Sequence, residues 1–426
     1  MRLQIENLAK IAKADITIDG ITVIAGENNT GKSTIGKALY CIFNSLYDLE
    51  DKIYKDRLDY IETVLRNLPI KNEFGAKGFR TRKTFNDIHK IANDLINSTE
   101  KSKRSTGLID VCIKAISELD EKKVLDKDTI QEFGERLNDI LKVSNKAIIN
   151  AIINRYFEAE FMGQINHVND LGSLANVSLT IKDKSIDLNI TNNEVSKLDL
   201  GVQITGSAIY FDDPFVLNEL DERFPFYLNV MRESTHSRSL LEFLHTKKAA
   251  NNVVEEALLK DKMTNVLSSI NSVVGGEIVD GDDGEGFQEN GLNKPLHFSN
   301  LASGLKTFII IKKLLLNGAL VEKGVLVLDE PEVHLHPEWQ LKFAEIIVLL
   351  QKEFNLHTLL TTHSPYFLRA IEVYSAKHKI ADRCSYYMTE LKENKIELVN
   401  TTSCTDEIYK KLAQPFTLLD KIQFGE

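Results

Sequence analysis

Cysteine is scarce in this chain of 426 residues: four in all, at Cys41, Cys112, Cys384 and Cys404, with no Cys-x-x-Cys pair. That scatter offers neither a disulfide framework nor a zinc site, and it fits reduced thiols in a cytoplasmic protein. Long apolar runs are missing as well. None approaches the ~18–20 residues of a membrane span, so no membrane partner is expected. Met1-Arg2-Leu3-Gln4-Ile5-Glu6 carries charge early and no apolar stretch follows, so the start does not read as a secretory leader. No repeat or low-complexity linker is visible, and no heptad seam persists long enough for a coiled-coil arm. Positive charge is not in excess either: the formal net charge of −10 argues against blanket nucleic-acid binding. One stretch departs from that balance. Between Lys71 and Arg104 nine Lys/Arg, among them Lys77, Arg80, Arg82, Lys83, Lys101 and Lys103, stand against four Asp/Glu. It is either a solvated helical face with a loop or a contact for a phosphate backbone or a partner; DNA could bind through 71–104.

What is present is ample apolar material, 43% of residues, enough for two or three domains or one large head carrying insertions. Leu3–Ile5, Ile16–Ile18 and Ile21–Ala25 read as strands, with a turn at Asp19-Gly20. Residues 46–165 read as charged helices, with apolar faces at Leu108–Ile116 and Ile140–Phe157. The pattern turns to β at Val177–Ile181, Ile186–Ile190, Leu198–Ile204 and Ala208–Phe211, and Asp212-Asp213-Pro214 ends the last of these. Helix returns from Ser239 to Val273, and a hairpin follows between Gly275 and Gly286. Its acidic tip does not match a calcium loop, because Gly284 stands where the fifth ligand belongs.

Two segments carry chemistry. Gly26-Glu27-Asn28-Asn29-Thr30-Gly31-Lys32-Ser33-Thr34 follows the first buried strand and precedes Ile35, Leu39, Ile42 and Phe43 at helical spacing. Gly-x4-Gly-Lys-Ser between strand and helix is the phosphate-loop pattern, and a chance match in this length is about a one-in-a-hundred event. Gly26 and Gly31 let the backbone wrap, so that N–H groups from Asn28 to Thr34 face phosphates. Lys32 neutralises β/γ oxygens, and the Ser33 hydroxyl ligates Mg²⁺. ATP and Mg²⁺ are the ligands expected. Far along the chain, Val325–Leu328 ends in Asp329-Glu330. A buried parallel strand delivers both carboxylates to the sheet edge where open α/β sheets bind ligands. Asp329 is expected in the Mg²⁺ shell, and Glu330 as the catalytic group that orients and deprotonates water.

Leu359–Thr362 is another apolar strand, and it ends at His363, 34 positions after Asp329. A histidine there is either an ordinary satisfied polar residue or a catalytic contact to the γ-phosphate. Ser303-Gly304, 26 residues before Asp329, opens a helix of Phe308, Ile310, Ile311, Leu314 and Leu315. Ser303 reads as its N-cap, with the Gly304 N–H free to face an anion.

These elements in this order resemble the ABC-type ATPase heads of the SMC, RecF and OLD group. Leu328-Asp329-Glu330-Pro331-Glu332-Val333-His334-Leu335-His336-Pro337 and Thr361-Thr362-His363-Ser364-Pro365 look like OLD-type ATPases, including the Septu and PARIS ATPases of bacterial anti-phage systems. The resemblance covers roughly residues 1–45 and 295–375. It implies an α/β P-loop NTPase of ABC-ATPase type with a split head, an antiparallel β subdomain and a helical insertion. On that reading 1–45 and 291–375 are the two parts of the head. Residues 46–165 are the insertion, 166–230 a β-rich part, 231–290 a helical segment with hairpin, and 376–426 a C-terminal α/β tail.

The resemblance also implies that Ser303, Gly304 and Lys306 contact the nucleotide of a second copy. ATP would then hold a head-to-head dimer or a higher oligomer, with His334 and His336 at the interface and not on zinc. Leu305-Lys306 departs from transporter signatures, and Asn29 replaces a glycine usual in the loop. Gln164 is the candidate for the glutamine that reaches Mg²⁺, and no aromatic adenine platform is evident. OLD nucleases continue into a TOPRIM domain, whereas 63 residues follow His363. The expectation is therefore an ATPase that senses or scaffolds in anti-phage defence and controls a separate effector of nuclease type. A DNA-repair or chromosome-maintenance ATPase and an ABC transporter subunit are the alternatives.

Overall fold

The computed structural model describes residues 1–69, 82–101, 108–120, 124–168, 172–220, 234–247, 253–281, 284–392 and 395–424. At the N-terminus the alternating apolar residues form β1 (Arg2–Leu8) and β2 (Ile11–Thr17), an antiparallel pair that buries Leu3, Ile5, Leu8, Ile11 and Ile16. β3 (Ile21–Ala25) is buried on both faces, as an interior parallel strand must be, and it leads into α1 (Lys32–Leu46).

The chain divides into two compact units, one of residues 48–152 and one of residues 1–47 with 153–426. The first is helical: α2 (Leu49–Arg66), α3 (Arg82–Lys101), α4 (Leu108–Leu119), α5 (Lys127–Lys142) and the start of α6 (Asn145–Phe161). Ile61, Val64 and Leu65 share one face of α2 and pack with Ile88, Ala92, Leu95, Cys112, Ile116, Phe133 and Leu137 in a core of their own. Asp126 caps α5 by accepting from the Thr129 N–H (2.7 Å). Of the basic stretch, Lys71, Lys77, Arg80, Lys103 and Arg104 lie outside the described residues.

The second unit continues with β4 (Ala175–Ile181), β5 (Lys184–Thr191), β6 (Glu194–Leu200), β7 (Ala208–Phe211), α7 (His236–His245) and α8 (Val253–Asn271). Next come β8 (Gly276–Gly281), β9 (Gly284–Glu289) and β10 (Leu296–His297), then α9 (Ser303–Leu316), β11 (Val325–Asp329), α10 (Pro337–Phe354), β12 (His357–Thr362) and α11 (Pro365–Lys377). β13 (Cys384–Lys392), β14 (Lys395–Asn400), α12 (Asp406–Leu412) and α13 (Gln414–Phe424) close the described chain. The fold is mixed α/β around one eleven-stranded sheet, in the order β6-β5-β4-β1-β2-β14-β13-β3-β12-β11-β7; β8–β10 form a separate three-stranded sheet. From β13 to β7 all neighbours run parallel, while β6-β5-β4-β1-β2 is antiparallel throughout.

α1 covers one face of the parallel strands, where Gly36 lies against Val327 and Tyr210. On the other face Ile209, Phe211, Leu326 and Leu328 join Phe308, Ile311, Phe343, Ile347 and Phe367 from α9, α10 and α11. Each such side chain contributes roughly 1.5–3 kcal/mol by leaving water. This packing fixes the strand ends that carry the polar residues.

Two features differ from the sequence reading. β6 begins at Glu194, ahead of the expected Leu198–Ile204, because Asn192 and Asn193 both take positive φ (53° and 63°) and close a tight hairpin. The strands of 384–400 are not peripheral. β13 pairs in parallel with β3 and β14 with β2, which joins the antiparallel and parallel halves of the sheet. No helix among the described residues is long and apolar enough to cross a membrane.

Candidate nucleotide site

The C-terminal ends of β3, β12 and β11 lie side by side, in register from Ala25 to Thr362 and from Thr361 to Asp329. β3 opens into the glycine loop. Gly31 takes φ 74° at the N-cap of α1, a left-handed position where a side chain would be strained. Asn28 and Asn29 are exposed, and Ser33 and Thr34 sit half-buried in the first helical turn. Lys10 donates to the Asn29 side-chain oxygen, and Thr30 Oγ1 donates to the Glu27 carbonyl (2.7 Å). Thr389 of β13 donates to Thr30 Oγ1 (2.8 Å), so the strand joining the two halves of the sheet also braces the loop.

Lys32 is buried. Its Nζ donates to the carbonyls of Gly26 (3.1 Å) and Glu27 (2.8 Å) and lies 3.1 Å from Glu330 Oε1. The other Glu330 oxygen is 3.4 Å from His363 Nδ1. His363 beside it and then Lys32 hold the Glu330 carboxyl down at about 2, against burial, which acts the other way. The same contact raises the His363 ring above its ordinary value, against burial. Lys32, Glu330 and His363 thus form one chain of contacts across three strand ends.

Asp329 is fixed on both oxygens. Tyr210 Oη donates to Oδ2 (2.9 Å), and Thr361 Oγ1 donates to Oδ1. Glu330 stands at φ 48°, a left-handed conformation that costs on the order of 1–3 kcal/mol for a residue with a side chain. Its N–H is held by the Thr361 carbonyl (3.2 Å) and Thr361 Oγ1 (3.0 Å). One threonine therefore orients both carboxylate residues. Glu332 is buried, and its Oε1 accepts from Thr362 Oγ1 (2.5 Å) and the His363 N–H (3.1 Å). It ties the loop after β11 to the loop after β12, and burial raises its carboxyl above the ordinary range.

A second charged cluster lies one strand out. β7 continues β11 in register, so Asp212 follows Phe211 beside Asp329. His236, only 8% exposed, shares Nδ1 with both oxygens of Glu160 (2.9 and 2.8 Å) and Nε2 with Asp212 Oδ2 (2.9 Å). Burial lowers the His236 pKa, but the hydrogen bonds to Asp212 and Glu160 outweigh it and lift it to about 9. The imidazolium ring packs 4.4 Å from the ring of Tyr210.

The structure brings Lys32, Asp329, Glu330 and His363 together, as the motif spacing implies. Other expected residues stand elsewhere. Ser303 is not the cap of α9; Ala302 is, with no side-chain cap bond, and Ser303 is the first helical residue. Gly304 is buried, and a Cβ there would meet the His334 carbonyl at 3.0 Å and the Trp339 ring at 3.2 Å, so a larger residue would fit only if these neighbours gave way by a few tenths of an ångström. Lys306, expected at an intermolecular contact, faces its own chain here. It is 1% exposed, and its Nζ turns inward to Asn218 Oδ1 (2.6 Å) and sits over the Phe215 ring. Gln164 is exposed in the turn after α6, next to Ile165, whose carbonyl accepts from the Ala9 N–H (2.8 Å). His334 is exposed with its ring edge-on to Phe215, and among the described residues no group of three or more His, Cys, Asp or Glu could hold a metal ion by itself.

Tyr210, Thr361, Glu332 and the Glu160–His236–Asp212 cluster escaped the sequence reading. Thr361 had a signal, since it stands where the apolar run Leu359-Leu360 turns polar, just before His363. Tyr210 and His236 had none, because their partners lie 119 and 76 residues away.

The donor set suits a triphosphate with Mg²⁺. A buried ammonium, a left-handed glycine at a helix N-terminus, first-turn hydroxyls and a fixed carboxylate meet at one edge. Asp329 and Ser33 are the groups that would hold the metal, with phosphate oxygens and water completing its shell.

A stretch of 98 residues is 33% identical to the "Retron Vc95 probable ATPase" of Vibrio cholerae serotype O1 biovar El Tor, covering 20% of this chain and 18% of that protein. Among solved structures, the SMC head domain from Thermotoga maritima is 10% identical, with 94% of this chain and 97% of that one covered and a TM-score of 0.37. The SMC head bound to the C-winged helix domain of ScpA is also 10% identical, over 94% and 96%, with a TM-score of 0.42. Residues 1–368 match the family described as AAA ATPase domain, and the chain belongs to that family.

Proposed function

We propose that the chain binds and hydrolyses ATP at the edge formed by β3, β11 and β12, and that it serves as the nucleotide-controlled subunit of a bacterial anti-phage system governing a separate effector of nuclease type. The observation that carries the catalytic part is the contact chain Lys32–Glu330–His363, at 3.1 and 3.4 Å, beside an Asp329 fixed on both oxygens.

Lys32 is shared between two carbonyls and Glu330. Phosphate oxygens carry more charge than carbonyls and draw the ammonium away. Glu330 then loses one of the two cations that depress its pKa, and it becomes a better base as the substrate arrives. Glu330 orients a water and takes its proton. The water oxygen bonds to the γ-phosphorus as the bond to the ADP oxygen breaks, so ADP leaves with the bridging oxygen. His363 donates to a γ-phosphate oxygen and holds its position. Mg²⁺, when bound, supplies charge neutralisation on the phosphates. Ser303 and the N-terminus of α9 are the groups offered to the nucleotide of a second copy, which makes ATP the glue of a two-fold dimer.

The defence assignment draws on the motif resemblance and on the retron ATPase among the relatives. Its test is phage plating on bacteria that express the chain with its neighbouring genes. Wild type should lower plating and Lys32→Ala should restore it to the empty-vector level. Plating equal for wild type and empty vector would overturn the assignment.

A further inference from the structure

The Glu160–His236–Asp212 cluster has no role in the chemistry above, yet it lies against it. We propose that Tyr210, seated on the clamped His236 ring, is the positioning residue that aims the Asp329 carboxylate at the nucleotide-bound Mg²⁺. This rests on the reading of Asp329 as the metal-facing carboxylate.

Tyr210 is 1% exposed and its hydroxyl donates to Asp329 Oδ2 at 2.9 Å. Thr361 holds Oδ1 in the same way. Each carboxylate oxygen has two lone pairs, so one on each remains, and the two donors fix the plane in which those remaining pairs lie. A hydroxyl on a freely turning ring edge would aim nothing. Here the ring is confined from three directions. Gly36 of α1 lies against its edge, the Tyr40 ring meets it edge-on at 6.2 Å, and the His236 ring packs at 4.4 Å.

His236 itself has no rotational freedom. Both ring nitrogens are bonded to carboxylates, and its backbone N–H donates to Glu160 Oε1 (2.6 Å). Lys37 on α1 donates to the Glu160 carbonyl (3.1 Å), so the helix that begins at the glycine loop is tied to the same clamp. The cluster thus links α1, the end of α6, β7 and α7 to one oxygen of Asp329. Outer partners of this kind typically set metal affinity by tenfold to a hundredfold.

The test is a titration of MgCl₂ into protein with a fluorescent ATP analogue, read as nucleotide binding and not as turnover. Tyr210→Phe keeps the ring and its packing and removes only the donor. The Mg²⁺ concentration for half-maximal binding should rise roughly tenfold or more, while binding measured without metal stays that of wild type. Ser239→Ala is the control for loosened packing: it removes the hydroxyl bonded to Tyr40 (2.7 Å) without touching Tyr210 or Asp329. Its Mg²⁺ requirement should match wild type. An unchanged requirement in Tyr210→Phe, or an equal rise in Ser239→Ala, overturns the inference and leaves the ATPase reading standing. A wild-type protein that binds no nucleotide with or without MgCl₂ overturns both.

Discussion

Two charged clusters stand one strand apart on the same sheet edge, and they are built in opposite ways. Around Glu330 the partners are few, one of them is the half-exposed His363, and Lys32 is shared with carbonyls that a phosphate can outbid. Around His236 both nitrogens and the backbone N–H are already bonded to carboxylates, and the ring is buried. The first arrangement can exchange partners at small cost because Glu330 and His363 remain near water and Lys32 can trade one anionic partner for another. The second cannot, because removing one member strands charges in a poor solvent. A nucleotide site needs both: groups that hand over their contacts to a ligand, and a frame that does not move when they do.

If that contrast is right, the largest stability loss belongs to the closed cluster. His236→Ala leaves the buried Glu160 carboxylate with only the more distant Lys37 ammonium (4.0 Å) and should cost about 3 kcal/mol in urea unfolding. A loss under about 1 kcal/mol would erase the distinction between the clusters. Titration probes the same ring more gently. Its folded pKa of about 9 lies above the ordinary 6.5, so its contribution is fully present below pH 6.5 and is lost as pH rises through about 9. That loss is on the order of 3 kcal/mol, and the slope should flatten in His236→Gln. The smallest stability effect belongs to the open cluster. His363→Ala should change the unfolding free energy by no more than about 1 kcal/mol, while phosphate release falls by roughly a hundredfold.

The same contrast explains what could be read from the sequence. The open cluster sits on contiguous motifs, each a buried strand ending in polar residues, so Lys32, Asp329, Glu330 and His363 were legible from local pattern and spacing. The frame is non-local. Tyr210 reads as one more strand residue, and only the pairing of β7 with β11 brings it beside Asp329. Glu332 follows Pro331 in a loop whose burial no pattern announces. The inward turn of the Lys306 ammonium to Asn218 depends on a residue 88 positions away and leaves no mark in local sequence. The hairpin turn at Asn192-Asn193 was readable, since paired asparagines favour the left-handed region, and it would have set β6 correctly. The parallel insertion of β13 beside β3 leaves no mark in local sequence, because parallel partners are chosen by the whole sheet.

The most direct measurement is of Glu330→Gln, with ATP binding and phosphate release followed on the same preparation. The account predicts binding at least as tight as wild type, since Lys32 no longer leaves an anion behind, together with phosphate release lowered by a factor on the order of a thousand. Phosphate release at the wild-type rate in Glu330→Gln would contradict it.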